Sequence, residues 1–171
     1  WSNVGGYNLF NMYLEDPMKW SLTFQIHLVT KMIEDLKKDD SQIRLIERTL
    51  YTSTEIVGQL LLNEGHIHPI ELEILKNLIS ALELTNCYNL NTIIYLRSSP
   101  ESCFDRMKDK GIVITRYPIE KMKLLHHFLE KTFVENAGNF SIPIIVVDVI
   151  DDLDAMKRVL DQLIESLFNE T

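Results

Sequence analysis

Three short runs of β-branched and aliphatic residues, each closed by charge, constrain this chain more than any other feature. They are Ile43-Arg44-Leu45-Ile46 before Glu47-Arg48, Thr92-Ile93-Ile94-Tyr95-Leu96 before Arg97, and Pro143-Ile144-Ile145-Val146-Val147 before Asp148. Runs of this length and composition read as buried strands. Helix signals stand between them. Asp16-Pro17 opens a segment to about Lys38 in which Trp20, Phe24, Leu28, Met32 and Leu36 recur every four residues, the spacing of one helix face. Thr52-Ser53-Thr54-Glu55 reads as a capping box, with Gly65 as the stop of its helix, and Pro69 opens the next, carrying Leu72, Leu75, Ile79 and Leu82. Ser99-Pro100-Glu101 starts a helix to about Lys110, Pro118 one to about Glu135, and the last runs from about Asp152 to Leu167. Strands alternating with helices predict an α/β fold, a parallel sheet flanked by helices, with its site beyond the C-terminal ends of the strands.

The 171 residues form one domain, 1–171, and 46% hydrophobic with 25% charged residues excludes disordered and coiled-coil classes. A net charge of −8 speaks against a nucleic-acid polymer or an anionic membrane as partner. The longest apolar run, 142–147, ends at Asp148 and is too short to span a bilayer. Cys87 and Cys103 form no CxxC, and His66 and His68 lack a third ligand nearby, so no metal site is expected. The six glycines, at 5, 6, 58, 65, 111 and 138, nowhere make GxxxxGK[ST].

Any phosphate handled by so acidic a chain needs a local basic patch. Arg106, Lys108, Lys110 and Arg116 supply one, in a helix end and loop able to close over phosphates. Glu47-Arg48, held at the end of a buried strand, would orient a hydroxyl and a phosphate from a rigid base. Gln25 follows Phe24 on the first long helix, and its carboxamide offers donor and acceptor together to the edge of a planar base.

Trp1, Asn8-Leu9, Glu15-Asp16-Pro17-Met18-Lys19-Trp20, Thr23-Phe24-Gln25, Glu47-Arg48-Thr49, Tyr95-Leu96-Arg97-Ser98-Ser99-Pro100-Glu101 and Asp148-Val149, in that order, resemble the deoxyribonucleoside kinase family. The resemblance implies a P-loop NTPase fold of the nucleoside-kinase type and transfer of the ATP γ-phosphate, with Mg2+, to the 5′-hydroxyl of a deoxyribonucleoside. It implies substrate contacts by Trp1, Tyr13, Gln25, Leu28, Met32, Glu47, Arg48, Ser53 and Val57. Arg106, Lys108, Lys110 and Arg116 fall in the family's donor lid, about 106–117, and Asp151, Asp152 and Leu153 in the loop near adenine. The family's sugar-contacting tyrosine aligns without gaps at Leu14, beside Tyr13, and Ile112-Val113-Ile114-Thr115 stand where its lid carries acidic residues. The family's P-loop and catalytic carboxylate fall upstream of Trp1. The chain is therefore expected to be the C-terminal three quarters of a kinase domain, N-terminally truncated and without its own catalytic base. A homodimer in the cytoplasm or mitochondrion is the further implication. The alternative is a catalytically dead paralogue serving as an interaction or structural subunit.

Overall fold

The computed structural model describes residues 2–38, 44–83, 90–111 and 118–169. A small antiparallel hairpin comes first, pairing β1 (Asn3–Val4) with β2 (Tyr7–Asn8) across Gly5-Gly6. Both glycines have positive φ, 56° and 88°, as a two-residue turn matching strand twist requires. Asn8 then caps α1 (Leu9–Glu15) by accepting from the Asn11 amide at 3.0 Å. Asp16 does the same for α2 (Pro17–Lys38), accepting from the Lys19 amide at 3.2 Å.

The buried face of α2 is turned one residue from the expected stripe. Phe24 is buried as expected, but Trp20, Leu28, Met32 and Leu36 are half-buried, and Ser21, Gln25, Val29 and Ile33 form the inner row. Packing decides this rotation. Val29 and Ile33 meet Leu50 and the Leu75 and Ile79 side chains of α4 (Pro69–Glu83), a cluster that leaves Leu28 no place at its centre.

The first expected strand is corrected. Residues 44–46 are irregular and exposed, Leu45 by 74%, while Ile43 lies outside the described residues. Among the described residues no strand pairs with this run, and the Arg44 guanidinium donates instead to the Leu36 carbonyl at 2.5 Å. An extended run with neither a ladder nor a packed face gains nothing from its β-branched composition.

The following helix begins a few residues before the expected cap. Thr49 and Thr52 exchange hydrogen bonds, each hydroxyl accepting from the other's amide at 3.2 Å, and helical backbone starts at Leu50. Glu55 pairs with Lys76 of α4 at 3.3 Å rather than closing a box. Thr52–Gly58 is a π-helical segment that runs into α3 (Gln59–Asn63), and Gly65, at φ 71°, ends the helix.

The other two strands form as expected. β3 (Ile93–Arg97) and β4 (Ile144–Asp148) pair in parallel, with Ile93 opposite Ile144 and Arg97 opposite Asp148. The crossover between them contains α5 (Pro100–Asp109), α6 (Ile119–Glu130), a second π-helical turn (Lys131–Glu135) and a short 3-10 turn (Ala137–Asn139). One sheet face buries Ile93 and Tyr95 against Ile56 and Phe133, one residue from each π-helical segment. α7 (Leu153–Asn169) follows β4, capped by Asp152, which accepts from the Asp154 and Ala155 amides at 2.9 and 3.0 Å.

Candidate functional site

The sequence candidates fall into a buried wall, an exposed bend and a charged rim. The wall is built by α1, α2 and the first π-helical segment. Tyr13 stacks on Phe24, ring centroids 5.0 Å apart, and Phe10 stands 5.7 Å from the same ring. Next to Phe24, Gln25 occupies the inner row of α2 and is only 4% exposed. Ser21, one turn earlier, satisfies itself by donating to the Pro17 carbonyl at 2.6 Å. Neither the Gln25 carboxamide nor the Ser53 hydroxyl makes a side-chain hydrogen bond among the described residues. Leu28 and Met32 line the adjoining half-buried face. Ser53 is buried, and Val57 packs with Tyr13 and Leu22 on the cluster of Leu61, Ile67 and Leu72.

Glu47 and Arg48 are placed differently from expectation. They sit on an exposed bend, side chains 94% and 64% accessible, with Arg48 Nε 4.0 Å from Glu47 Oε1. No buried strand delivers them. Arg48 has φ 67°, the one non-glycine in the left-handed region among the described residues. A bulky residue held there carries backbone strain of about 1 kcal/mol or more.

The rim lies at the C-terminal ends of β3 and β4. Arg97 grips Asp148 with both arms, Nε to Oδ1 at 2.6 Å and Nη2 to Oδ2 at 2.9 Å, and its Nη1 lies 3.8 Å from Glu130. These hydrogen bonds hold the Asp148 carboxyl below the usual carboxylate range and raise Arg97 in turn. Tyr95 donates to the other Glu130 oxygen at 2.8 Å; burial first, and this bond second, push its phenol above the usual range. Beside the grip, Arg97, Ser98, Ser99, Ser102, His126, Asp148, Val149 and Asp151 line a cleft of about 370 Å³.

Of the expected donor residues, Arg106 reaches this cleft, donating to Ser98 at 2.5 Å and to Asp151 at 3.4 Å. Lys108 turns away, bound to Asp105 at 3.1 Å with its ammonium 4.4 Å from the Phe104 ring centre. Lys110 is exposed at the end of α5. Asp151 lines the cleft, Asp152 is occupied as the α7 cap, and Leu153 is 68% exposed. Trp1, Arg116 and the lid segment 112–117 lie outside the described residues.

Sequence reasoning missed His126, which lines the cleft one helical turn before Glu130. The i, i+4 spacing of these two residues on α6 was the available signal. Among the described residues no three His, Cys, Asp or Glu side chains could hold a metal ion, and no helix is long and apolar enough to cross a membrane.

The family model of deoxynucleoside kinase matches residues 1–171. Human mitochondrial thymidine kinase 2 is 23% identical over 165 residues, covering 95% of this chain and 62% of its own length. Deoxycytidine kinase 2 of Gallus gallus is 26% identical, over 97% of this chain and 69% of its own. Mitochondrial deoxyguanosine kinase of Xenopus laevis is 25% identical, over 91% and 65% respectively. The chain thus spans roughly two thirds of the length of these curated relatives, less in the human case. With a family match along its whole length and a parallel sheet whose strand ends open on a charged cleft, the chain belongs to the deoxynucleoside kinase family and shares its P-loop kinase fold.

Proposed function

We propose that the protein binds a deoxyribonucleoside against the α2 wall and, in its full-length form, transfers the γ-phosphate of ATP to the 5′-hydroxyl. The observation that carries this reading is Gln25, a carboxamide 4% exposed and without a partner among the described residues. Its donor and acceptor are both available to the edge of a planar base. The stacked Tyr13 and Phe24 rings and the half-buried Leu28 and Met32 supply apolar surface around it. Ser53 and Val57 close the pocket from the first π-helical segment, and Trp1 joins them in this reading.

Glu47 and Arg48 serve the sugar and 5′ region. Both side chains are exposed, and the left-handed Arg48 backbone supports a geometry kept for binding. Arg106 and the lid cations Lys108, Lys110 and Arg116 neutralise charge developing on the transferred phosphoryl group. Asp151, Asp152 and Leu153 flank the nucleotide at the start of α7. Mg2+ belongs to this reading as the partner of the ATP phosphates, no step is routed through it, and none of the described residues is assigned as the general base. Homodimerisation and a cytoplasmic or mitochondrial location belong to the same reading.

Calorimetric titration with thymidine, deoxycytidine, deoxyguanosine and deoxyadenosine, followed by phosphoryl transfer from Mg-ATP by the full-length protein, tests the proposal. Saturable binding of at least one nucleoside with formation of its 5′-monophosphate is expected. Binding without transfer would mark a non-catalytic paralogue, and absence of binding would overturn the acceptor site.

A further inference from the structure

The π-helical segment Thr52–Gly58 carries both Ser53 and Val57, and it ends at a glycine with no conformational need to be one. Gly58 has φ −60° and ψ −44°, ordinary helical values. A glycine inside a helix is about 1 kcal/mol worse than alanine, so its presence calls for a steric reason. The surroundings provide it. A Cβ at position 58 would lie 2.5 Å from Leu72 Cδ1 on α4 and 3.0 Å from the Ser53 carbonyl oxygen. Ser53 is five residues back, the spacing of a π-helical hydrogen bond, so the added carbon would press on the closing peptide of the wide turn itself.

The segment is held from its other side too. Ile56, fully buried, packs on Ile93 and Tyr95 of the sheet and on Phe133. Val57 packs on Leu61, Ile67 and Leu72, in the cluster that also receives Tyr13. The segment is therefore pinned between sheet and α4, and the missing Cβ is what lets it lie so close to Leu72. Leu72 can turn its side-chain tip away from a new methyl group, whereas the Ser53 carbonyl yields only by moving the backbone that carries Ser53.

We infer that Gly58 is a positioning residue for nucleoside selectivity: by leaving room for the Ser53 carbonyl and for Leu72, it sets where Ser53 and Val57 stand and hence which base the pocket admits. This inference rests on the acceptor reading given above. Gly58 itself is buried, and its part is to position Ser53 and Val57.

The test compares wild type, Gly58→Ala and the double variant Gly58→Ala/Leu72→Val by calorimetric titration with the same four deoxynucleosides and with Mg-ATP, alongside thermal melts. Gly58→Ala should change the ratio of purine to pyrimidine nucleoside affinities by about tenfold, the scale of one misplaced methyl group, with Mg-ATP affinity unchanged. Leu72→Val removes the Cδ1 contact but not the pressure on Ser53, so the double variant should regain melting temperature while keeping the altered ratio. It also keeps the comparison available if the single variant does not fold. A lowered melting temperature with an unchanged affinity ratio would overturn the inference, as would a ratio restored by Leu72→Val. A wild type that binds no deoxynucleoside would instead overturn the acceptor reading, before any variant is compared.

Discussion

The buried wall around Gln25 and the charged rim at the strand ends are built on opposite principles. In the wall, Phe24, Gln25 and Ser53 are buried, and the Gln25 carboxamide has no protein partner among the described residues. In the rim, the exposed Asp148 and Asp151 and the half-exposed Arg97 and Arg106 are already paired with one another or with a neighbouring serine. The wall owes its shape to packing, so its geometry is bound up with stability and its selectivity with small volume changes. The rim owes its shape to solvent-screened ion pairs, which a polyphosphate can displace at little cost.

The contrast can be broken most forcefully from the wall. Leu50→Ala removes a fully buried side chain from the cluster joining α2 to α4, and should cost about 2–5 kcal/mol in urea unfolding, with nucleoside binding lost alongside. Gln25→Leu should separate the two properties. Nucleoside affinity should fall about tenfold or more, while the melting temperature holds, because no protein hydrogen bond among the described residues is lost when the amide gives way to an apolar group of similar size. An unchanged nucleoside Kd would remove Gln25 from the site.

At the bend the expected signs are opposite. Arg48→Gly relieves a left-handed backbone and should leave thermal stability equal or higher by about 1 kcal/mol, while weakening nucleoside binding. A loss of both would show that the bend is held by the arginine rather than strained by it.

The rim should reveal itself through pH. Asp148 has a lowered folded-state pKa, so its contribution is present above the unfolded carboxylate value of about 3.9 and disappears as pH falls through the folded value. Tyr95 has a raised one, so its contribution is complete below the unfolded phenol value of about 10 and is lost as pH rises beyond it. Asp148→Asn should therefore flatten the acid limb of a stability-against-pH curve, and Tyr95→Phe the alkaline limb. The smallest effect is expected at Lys108. Its exposed pair with Asp105 is worth at most about 1 kcal/mol, so Lys108→Ala should leave urea unfolding nearly unchanged and be felt, if anywhere, in salt-sensitive Mg-ATP binding.

Much of the fold was legible because its signals are local. Asp16-Pro17, Pro69 and Ser99-Pro100 start helices through their own backbone geometry and side-chain oxygens, and the apolar runs at 92–97 and 143–148 carry enough β-branched residues to be strands in any suitable sheet. Gln25 could be singled out by residue type, but its burial could not. The stripe from Trp20 to Leu36 suggested a face one residue away from the one that Val29, Ile33, Leu75 and Ile79 bury together. Similarly, the run 43–46 has strand composition, but its described residues 44–46 pair with no strand among the described residues, and Glu47-Arg48 sits on a bend instead of at a strand end.

By itself, then, the sequence determined the helix starts at Asp16-Pro17, Pro69 and Ser99-Pro100, the two paired strands and the acidic net charge, since each depends on composition or on chemistry within a few positions. Tertiary structure alone decided which row of α2 turns inward, that Thr49 and Thr52 cap each other, that Arg97 closes on Asp148 across fifty-one positions, and that Gly58 sits where Leu72 and the Ser53 carbonyl leave no room for a methyl group. Those outcomes depend on the shape of surfaces brought together from distant parts of the chain, and close packing, unlike periodicity, has no signature in neighbouring residues.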